Sequence, residues 1–203
     1  MIWGCISGFN EAPNIHRAIA SLRDHVDVIV YVDGAYAHFP HEHPFSTDNT
    51  VKLAKAFGAD IIIETRKPWV DEIHKRNAYL MAAPGDWYFV LDGDEEFHGV
   101  LETDVLEALG LQIMVEEWRE PSLGSPNPIL RCFRARRGLH YHGTHHALWA
   151  GGVLLNNEPC QKLNTGYIRH YHDGRPQARI EAKGTYYRHL QEAEHEFRQI
   201  HRL

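Results

Sequence analysis

The chain is 203 residues long, with a formal net charge of −6, 43% apolar and 24% charged side chains. That balance suits one globular domain with a sizeable core, and it argues against a protein that binds nucleic acid by broad neutralisation of its backbone. Three cysteines without C-x-x-C spacing, no apolar run long enough to cross a bilayer and no signal-like N-terminus lead to the expectation of a cytoplasmic protein with reduced thiols.

Met1 to Ser7 is a short apolar run that reads as a strand. Gly8-Phe9-Asn10-Glu11 supplies a turn, Pro13 marks a helix start, and Ile15, Ala18, Ile19 and Leu22 fall on one helical face. Val26 to Val32 is β-branched and apolar, a second strand closing at Asp33. A loop rich in glycine and histidine runs from Gly34 to Phe45. Ser46-Thr47-Asp48 offers caps for a helix through Val51, Ala54 and Phe57, which Gly58 ends. Ala59 to Ile63 is a third strand. Trp69, Ile73, Asn77, Leu80 and Met81 describe a helix stopped by Pro84-Gly85, and Trp87 to Leu91 is a fourth strand. Further on, Leu101 to Leu109 reads as a helix, and Leu111 to Trp118 and Ile129 to Arg134 as strands. Pro176 onward reads as one long helix with Ile180, Tyr187, Leu190, Phe197 and Ile200 on its apolar side.

Near-continuous apolar strands alternating with amphipathic helices predict an α/β fold, a mostly parallel sheet covered on both faces. Ligands of such sheets collect beyond the carboxyl ends of the strands. Asn10-Glu11, Asp33 and Asp92-Gly93-Asp94 stand at three of those ends. The last is the most informative, because Asp92, Asp94, Glu95 and Glu96 set four carboxylates within five positions at the tip of a buried strand. Crowded like charges make one another easier to protonate unless a cation sits among them, and Mg²⁺ and Mn²⁺ bridge such oxygens to phosphates.

Assembled in this order, the first 97 residues or so resemble the family-two glycosyltransferases of the GT-A fold. The motifs are Asn10-Glu11 with Asn14-Ile15, Val32-Asp33 with Ser46-Thr47-Asp48-Asn49-Thr50, Arg76-Asn77-Ala78, and Leu91-Asp92-Gly93-Asp94-Glu95. Leu130-Arg131-Cys132-Phe133-Arg134, Gly143-Thr144-His145-His146 and Ile168-Arg169-His170-Tyr171 resemble the weaker C-terminal pattern of short members. The resemblance implies a single Rossmann-like GT-A domain over 1–203, with a nucleotide-sugar half (1–97) and an acceptor half with the C-terminal helix (98–203). Two departures stand out. Gly34 to Phe45 separates Asp33 from Ser46, and Ala147 replaces the glutamate that often follows the histidine corresponding to His146.

The activity so implied is a metal-dependent, inverting transfer from a nucleoside-diphosphate sugar, plausibly a UDP-sugar, to an acceptor hydroxyl. The acceptor is a glycan, a lipid-linked saccharide or a modified nucleobase, with DNA entering only as an acceptor. By resemblance, Asp94 binds Mn²⁺ or Mg²⁺ directly, with His170 as a second ligand, and Asp92 holds ribose or reaches the metal through water. Asp33 accepts from the base ring. Glu11 contacts the nucleoside or merely opens a helix, where the dipole favours it. Arg76 approaches the diphosphate, or else forms an ordinary i,i+4 pair with Glu72. Glu95, Glu96, Glu116, Glu117 and His146 are candidates for the base that takes the acceptor proton, with Glu117 and His146 foremost. Sixteen histidines gather around 38–43, 140–146 and 170–172. His38, His41 and His43 read as a solvated loop rather than a metal site, and the insertion that carries them, Gly34 to Phe45, as a mobile flap over the donor. The alternatives are a Mg²⁺-dependent nucleotidyltransferase and a non-enzymatic, histidine-rich metal-binding module.

Overall fold

A computed structural model of the chain describes residues 1–39, 41–82, 84–101, 109–117, 127–143, 147–158, 160–171, 181 and 184–188. β1 (Ile2–Gly8), α1 (Ile15–Arg23), β2 (Val28–Asp33), α2 (Thr50–Ala56), β3 (Ile61–Ile63), α3 (Glu72–Ala82) and β4 (Trp87–Asp92) follow the predicted alternation within a residue or three at each end. Then come β5 (Glu95–Gly99), β6 (Gly110–Glu117), β7 (Ile129–Arg134), β8 (His140–Tyr141), β9 (Leu148–Ala150), β10 (Val153–Leu154) and β11 (Gln161–His170). β8, β9 and β10 form a small sheet of three strands, and the other eight form one sheet in the order β3-β2-β1-β4-β7-β6-β11-β5.

The large sheet is mixed. The pairs β3–β2, β2–β1, β1–β4 and β6–β11 are parallel, and β4–β7, β7–β6 and β11–β5 are antiparallel. The expectation of a mostly parallel sheet holds, since six strands run one way and only β5 and β7 run against their neighbours. Each strand alternates between two cores. Ile6, Ile29, Tyr31, Phe89 and Leu91 face α1 and its buried Ile15, Ala18, Ile19 and Leu22. Trp3, Cys5, Val30, Val32, Tyr88 and Val90 face Tyr79 and Leu80 of α3 and Tyr141, Leu148 and Ala150 of the small sheet. Gly4 lies against α1 because a Cβ there would sit 3.1–3.3 Å from Val26, Leu22 and Ile29.

α3 presents a different face from the one expected. Its buried residues are Glu72, Lys75, Arg76, Tyr79 and Leu80, whereas Met81 is 87% exposed. The stripe has the expected 3.6-residue period but carries three charges in its first turn and a half. Asn77 ties the helix to the small sheet, accepting from Tyr141 N at 2.7 Å and donating to Tyr141 O at 3.0 Å. Among the described residues no helix is long and apolar enough to cross a membrane. The expected helix over 101–109 lies outside the described residues except at its ends, as does Trp118. Of the expected C-terminal helix, 181 and 184–188 are described and helical.

Candidate active site

β1, β2 and β4 end side by side, with Gly8 opposite Asp33 and Ser7 opposite Asp92. Asp33 is fully buried and organises the loops beyond this rung. Its Oδ1 accepts from Tyr31 at 2.9 Å and from the Ser46 hydroxyl at 2.6 Å, and its Oδ2 accepts from Ser46 N at 2.8 Å. Ser46 Oγ accepts in turn from Asn10 N, Thr50 Oγ1 from Glu11 N, and Asp48 Oδ2 from Ala12 N. The Ser-Thr-Asp-Asn-Thr segment is therefore a latch that fixes the Asn10-Glu11 turn, in which Asn10 adopts a φ of 52°. Three of the carboxylate's acceptor positions are used in these bonds, and Asp33 is not among the residues that line the cavity.

The 34–45 insertion is pinned at its base. Ala35 N donates to Pro44 O at 2.8 Å, Trp69 N to Ala35 O at 2.9 Å and Ala37 N to Trp69 O at 2.7 Å, while the Trp69 indole donates to Asp33 O. Phe39 is buried edge-on to Phe9, Tyr36 and Tyr186. His38 and His43 are exposed, with His43 stacked on Phe45, and His41 lies beside the Phe39 carbonyl.

At the tip of β4, Asp92 Oδ1 accepts from Arg76 Nη2 at 2.6 Å and from Ser7 Oγ at 3.3 Å. Arg76 is 2% exposed and also donates twice to Glu72 Oε1, at 3.0 and 3.2 Å. The i,i+4 pair with Glu72 is therefore present, but inside the protein and shared with Asp92. Arg76 is not among the residues that line the cavity, and its guanidinium is engaged by Glu72 and Asp92. Asp94 and Glu95 are each 3% exposed. In the sheet, His170 stands level with Glu95 of β5 on one side and Glu117 of β6 on the other. Its Nε2 lies 2.6 Å from Asp94 Oδ2 and its Nδ1 3.0 Å from Glu117 Oε1. Burial alone would lower the pKa of His170, but the surrounding Asp94, Glu95 and Glu117 raise it to about 9. Burial lifts the Glu95 carboxyl above its ordinary range, against the pull of Arg131, whose Nη2 donates to it at 2.5 Å.

A cavity of about 420 Å³ opens on this rim. Six carboxylates line it, from Glu11, Glu72, Asp92, Asp94, Glu95 and Glu117, against three basic side chains, Lys75, Arg131 and His170. Phe9, Tyr36, Phe39, Tyr186 and Tyr187 make its other wall. Tyr186 stacks on Tyr36 at 5.7 Å, and Tyr187 donates to Glu72 Oε2 at 2.8 Å, so the 184–188 segment closes one side. Sequence reasoning missed Lys75, Arg131 and these tyrosines as site residues. Lys75 is 2% exposed, and burial takes its pKa down to about 8 against the pull of Asp33, Glu72 and Asp92. Its signal was a charged residue at the i+3 position of a buried helical stripe.

The structure thus brings Glu11, Asp92, Asp94, Glu117 and His170 to one cavity, and sets Asp33 and Arg76 behind its wall. His145, His146 and His172 lie outside the described residues. Of the other base candidates, Glu96 accepts from the Tyr171 hydroxyl and Glu116 faces a separate surface hollow. His140 and His142 are exposed on the small sheet. No group of three His, Cys, Asp or Glu side chains among the described residues is arranged to hold a metal ion. Asp94 with His170 nevertheless offers a carboxylate and an imidazole, donors that suit a divalent cation sharing its shell with ligand oxygens and water.

Fold and site define a class: an α/β domain with an acidic, half-aromatic cavity at the carboxyl ends of its parallel strands. No family model matches the chain. It is similar to a TPR repeat-containing protein of Synechococcus elongatus, 30% identical over 195 residues, covering 89% of this chain and 44% of that protein. It is also similar to an uncharacterized glycosyltransferase of Rickettsia felis, 32% identical over 96 residues, 47% of this chain and 29% of the relative. Glycosyltransferase SunS of Bacillus phage SPbeta is 26% identical over 145 residues, 68% of this chain and 32% of its own. The chain spans less than half the length of these relatives. Among solved structures, S. aureus TarS 1-349 shares the fold with a TM-score of 0.51 at 15% identity, over 66% of this chain and 47% of that one.

Proposed function

We propose that this chain is the catalytic domain of a GT-A-type glycosyltransferase that moves a sugar, with inversion, from a nucleoside-diphosphate sugar to an acceptor hydroxyl. The observation that carries the reading is the meeting of Asp92, Asp94 and His170 at one cavity on the rim where the β1 and β2 loops also end. Residues 1–97 would hold the donor, plausibly a UDP-sugar, and 98–203 would face a glycan, lipid-linked saccharide or nucleobase acceptor.

Asp94 and His170 would hold Mn²⁺ or Mg²⁺, which when bound supplies positive charge against the charge growing on the leaving diphosphate. Glu117 would keep the His170 ring in register through Nδ1, leaving Nε2 for the cation, the usual carboxylate–imidazole arrangement behind a metal. That makes Glu117 a positioning residue in this reading, rather than the base. Arg76 and Ser7 would hold Asp92 toward ribose. Arg131, whose Nε–H has no partner among the described residues, would offer its guanidinium to the diphosphate in place of Arg76. Glu11 would border the nucleoside, and Asp33 would set the loop that carries it.

Purified protein with Mn²⁺ and a panel of sugar nucleotides should release nucleoside diphosphate slowly alone and faster with the right acceptor. Nucleotide affinity should fall when EDTA replaces Mn²⁺. Equal UDP and GDP affinities with EDTA and with Mn²⁺ would remove the metal from the reading. Consumption of nucleoside triphosphates with release of pyrophosphate would replace it with nucleotidyl transfer.

A further inference from the structure

We infer that Lys75 is the positioning residue that fixes the shape of the nucleotide end of the cavity, by clamping the carbonyls of Gly8 and Gly34 where β1 and β2 part. Gly8 and Asp33 form the last rung of that ladder, and Gly34 N reaches back to Gly8 O at 3.3 Å. Beyond it the strands separate into the Phe9–Glu11 turn and the 34–45 insertion, the two walls of this end of the cavity. Lys75 comes from α3 and bridges them, with Nζ 2.5 Å from Gly8 O and 2.7 Å from Gly34 O. Its remaining contact is the face of Tyr36, 5.6 Å from Nζ.

A buried ammonium held by two carbonyls and an aromatic face is a costly way to fill space, because desolvating the charge opposes folding and an apolar chain of the same length would avoid that cost. What it adds is a point charge with three rotatable N–H donors, which draws two carbonyls to one point. The backbone there is already close. A Cβ on Gly8 would lie 3.0 Å from the Tyr31 hydroxyl, and one on Gly34, at φ +121°, would lie 2.9 Å from Pro44 O. Arg76, the next residue, holds Asp92. One turn of α3 therefore sets both the spread of the β1 and β2 loops and the end of β4.

The inference rests on reading the cavity as a nucleotide site, and the test has an arm that does not. Lys75→Met keeps an unbranched apolar stem one atom shorter and removes every donor, and Lys75→Gln keeps an amide NH2 group should the Met variant fail to fold. In amide exchange of the full chain, protection should fall at residues 8–11 and 34–37 while β4 and α1 keep theirs. UDP or GDP affinity in Mn²⁺ should weaken at least tenfold, with kcat changing less than donor KM. In Lys75→Ala, ethylammonium should restore part of that affinity, whereas in Lys75→Met it should not, since the methionine fills the space. Unchanged exchange at 8–11 and 34–37 overturns the clamp. Nucleotide affinity within twofold of wild type, with exchange increased, overturns its role in binding. If the wild-type protein binds no nucleotide, the proposed function falls and the exchange arm alone decides the clamp.

Discussion

Asp94 and Arg76 are both buried acid–base partners, yet they should behave oppositely when altered. Asp94 sits on the rim with His170, so Asp94→Asn should abolish transfer. Its cost in stability by urea unfolding should be limited to its share of the His170 ion pair, shrinking as pH rises through about 9. A large loss of stability in that variant would mean that the carboxylate is structural. Arg76 is enclosed by Glu72 and Asp92. Arg76→Met leaves two carboxylates facing each other without their cation, and should cost about 3–5 kcal/mol by urea unfolding. A loss under 1 kcal/mol would place Arg76 in solvent exchange and return it to the list of ligand contacts. The carboxylates were legible in the sequence because four charges at a strand tip have no packing explanation. Lys75 and Arg131 were not, and of Arg76 the pair with Glu72 was legible but the bond to Asp92 was not. A cation's partner is decided by what the fold brings opposite it, and Asp92, the Gly8 carbonyl and Glu95 lie 16, 67 and 36 residues away.

At the scale of elements, the first half was readable because each strand there is a continuous apolar run and each helix a 3.6-residue stripe. β5 was not: Glu95-Glu96-Phe97-His98-Gly99 carries a single large apolar side chain, and its charges read as part of the acidic turn. Pairing with β11 makes it a strand, and β11 is itself interrupted between Lys162 and Tyr167 in its register with β6. The position of His170 on the rim follows from these two pairings, which no local pattern announces. The insertion from Gly34 to Phe45 reads differently once its anchors are known. Its base is tied to Trp69 and Asp33, and Phe39 is packed against Phe9, Tyr36 and Tyr186. Limited proteolysis should cut near His41–His43 and spare 34–37, and nucleotide with Mn²⁺ should change the cutting little. Strong protection by ligand would instead mark the tip as a lid. Gly34→Ala should strain this base through both its positive φ and the Pro44 carbonyl, lowering stability by roughly 1–3 kcal/mol. A neutral result would show the loop to be free to rearrange.

For the whole molecule, the informative variable is pH, because the cavity gathers more negative than positive side chains and His170 is the titrating bridge among them. Its pKa is raised from 6.5 to about 9. Between those values the folded chain holds a proton that the unfolded chain releases, so the contribution of His170 to stability is complete below about pH 6.5 and is lost as pH rises through about 9. Lys75 acts in the opposite sense, since its pKa is lowered to about 8 from 10.5 and stability from it returns only above that value. The window from pH 6.5 to 8 therefore separates His170 from Lys75, and metal-free wild type should lose more Tm across it than a His170→Gln variant does. A cation at Asp94 and His170 needs the neutral ring, so Mn²⁺ must displace that proton and binds better as pH rises. The gap between Tm with Mn²⁺ and Tm with EDTA should widen across the same window. Titration calorimetry at pH 7.5 in buffers of different ionisation enthalpy should count close to one proton released per Mn²⁺ bound. Parallel Tm curves and no proton release would leave His170 as a buried ion-pair partner of Asp94 and Glu117, and the metal would have to find its ligands among the other carboxylates of the cavity.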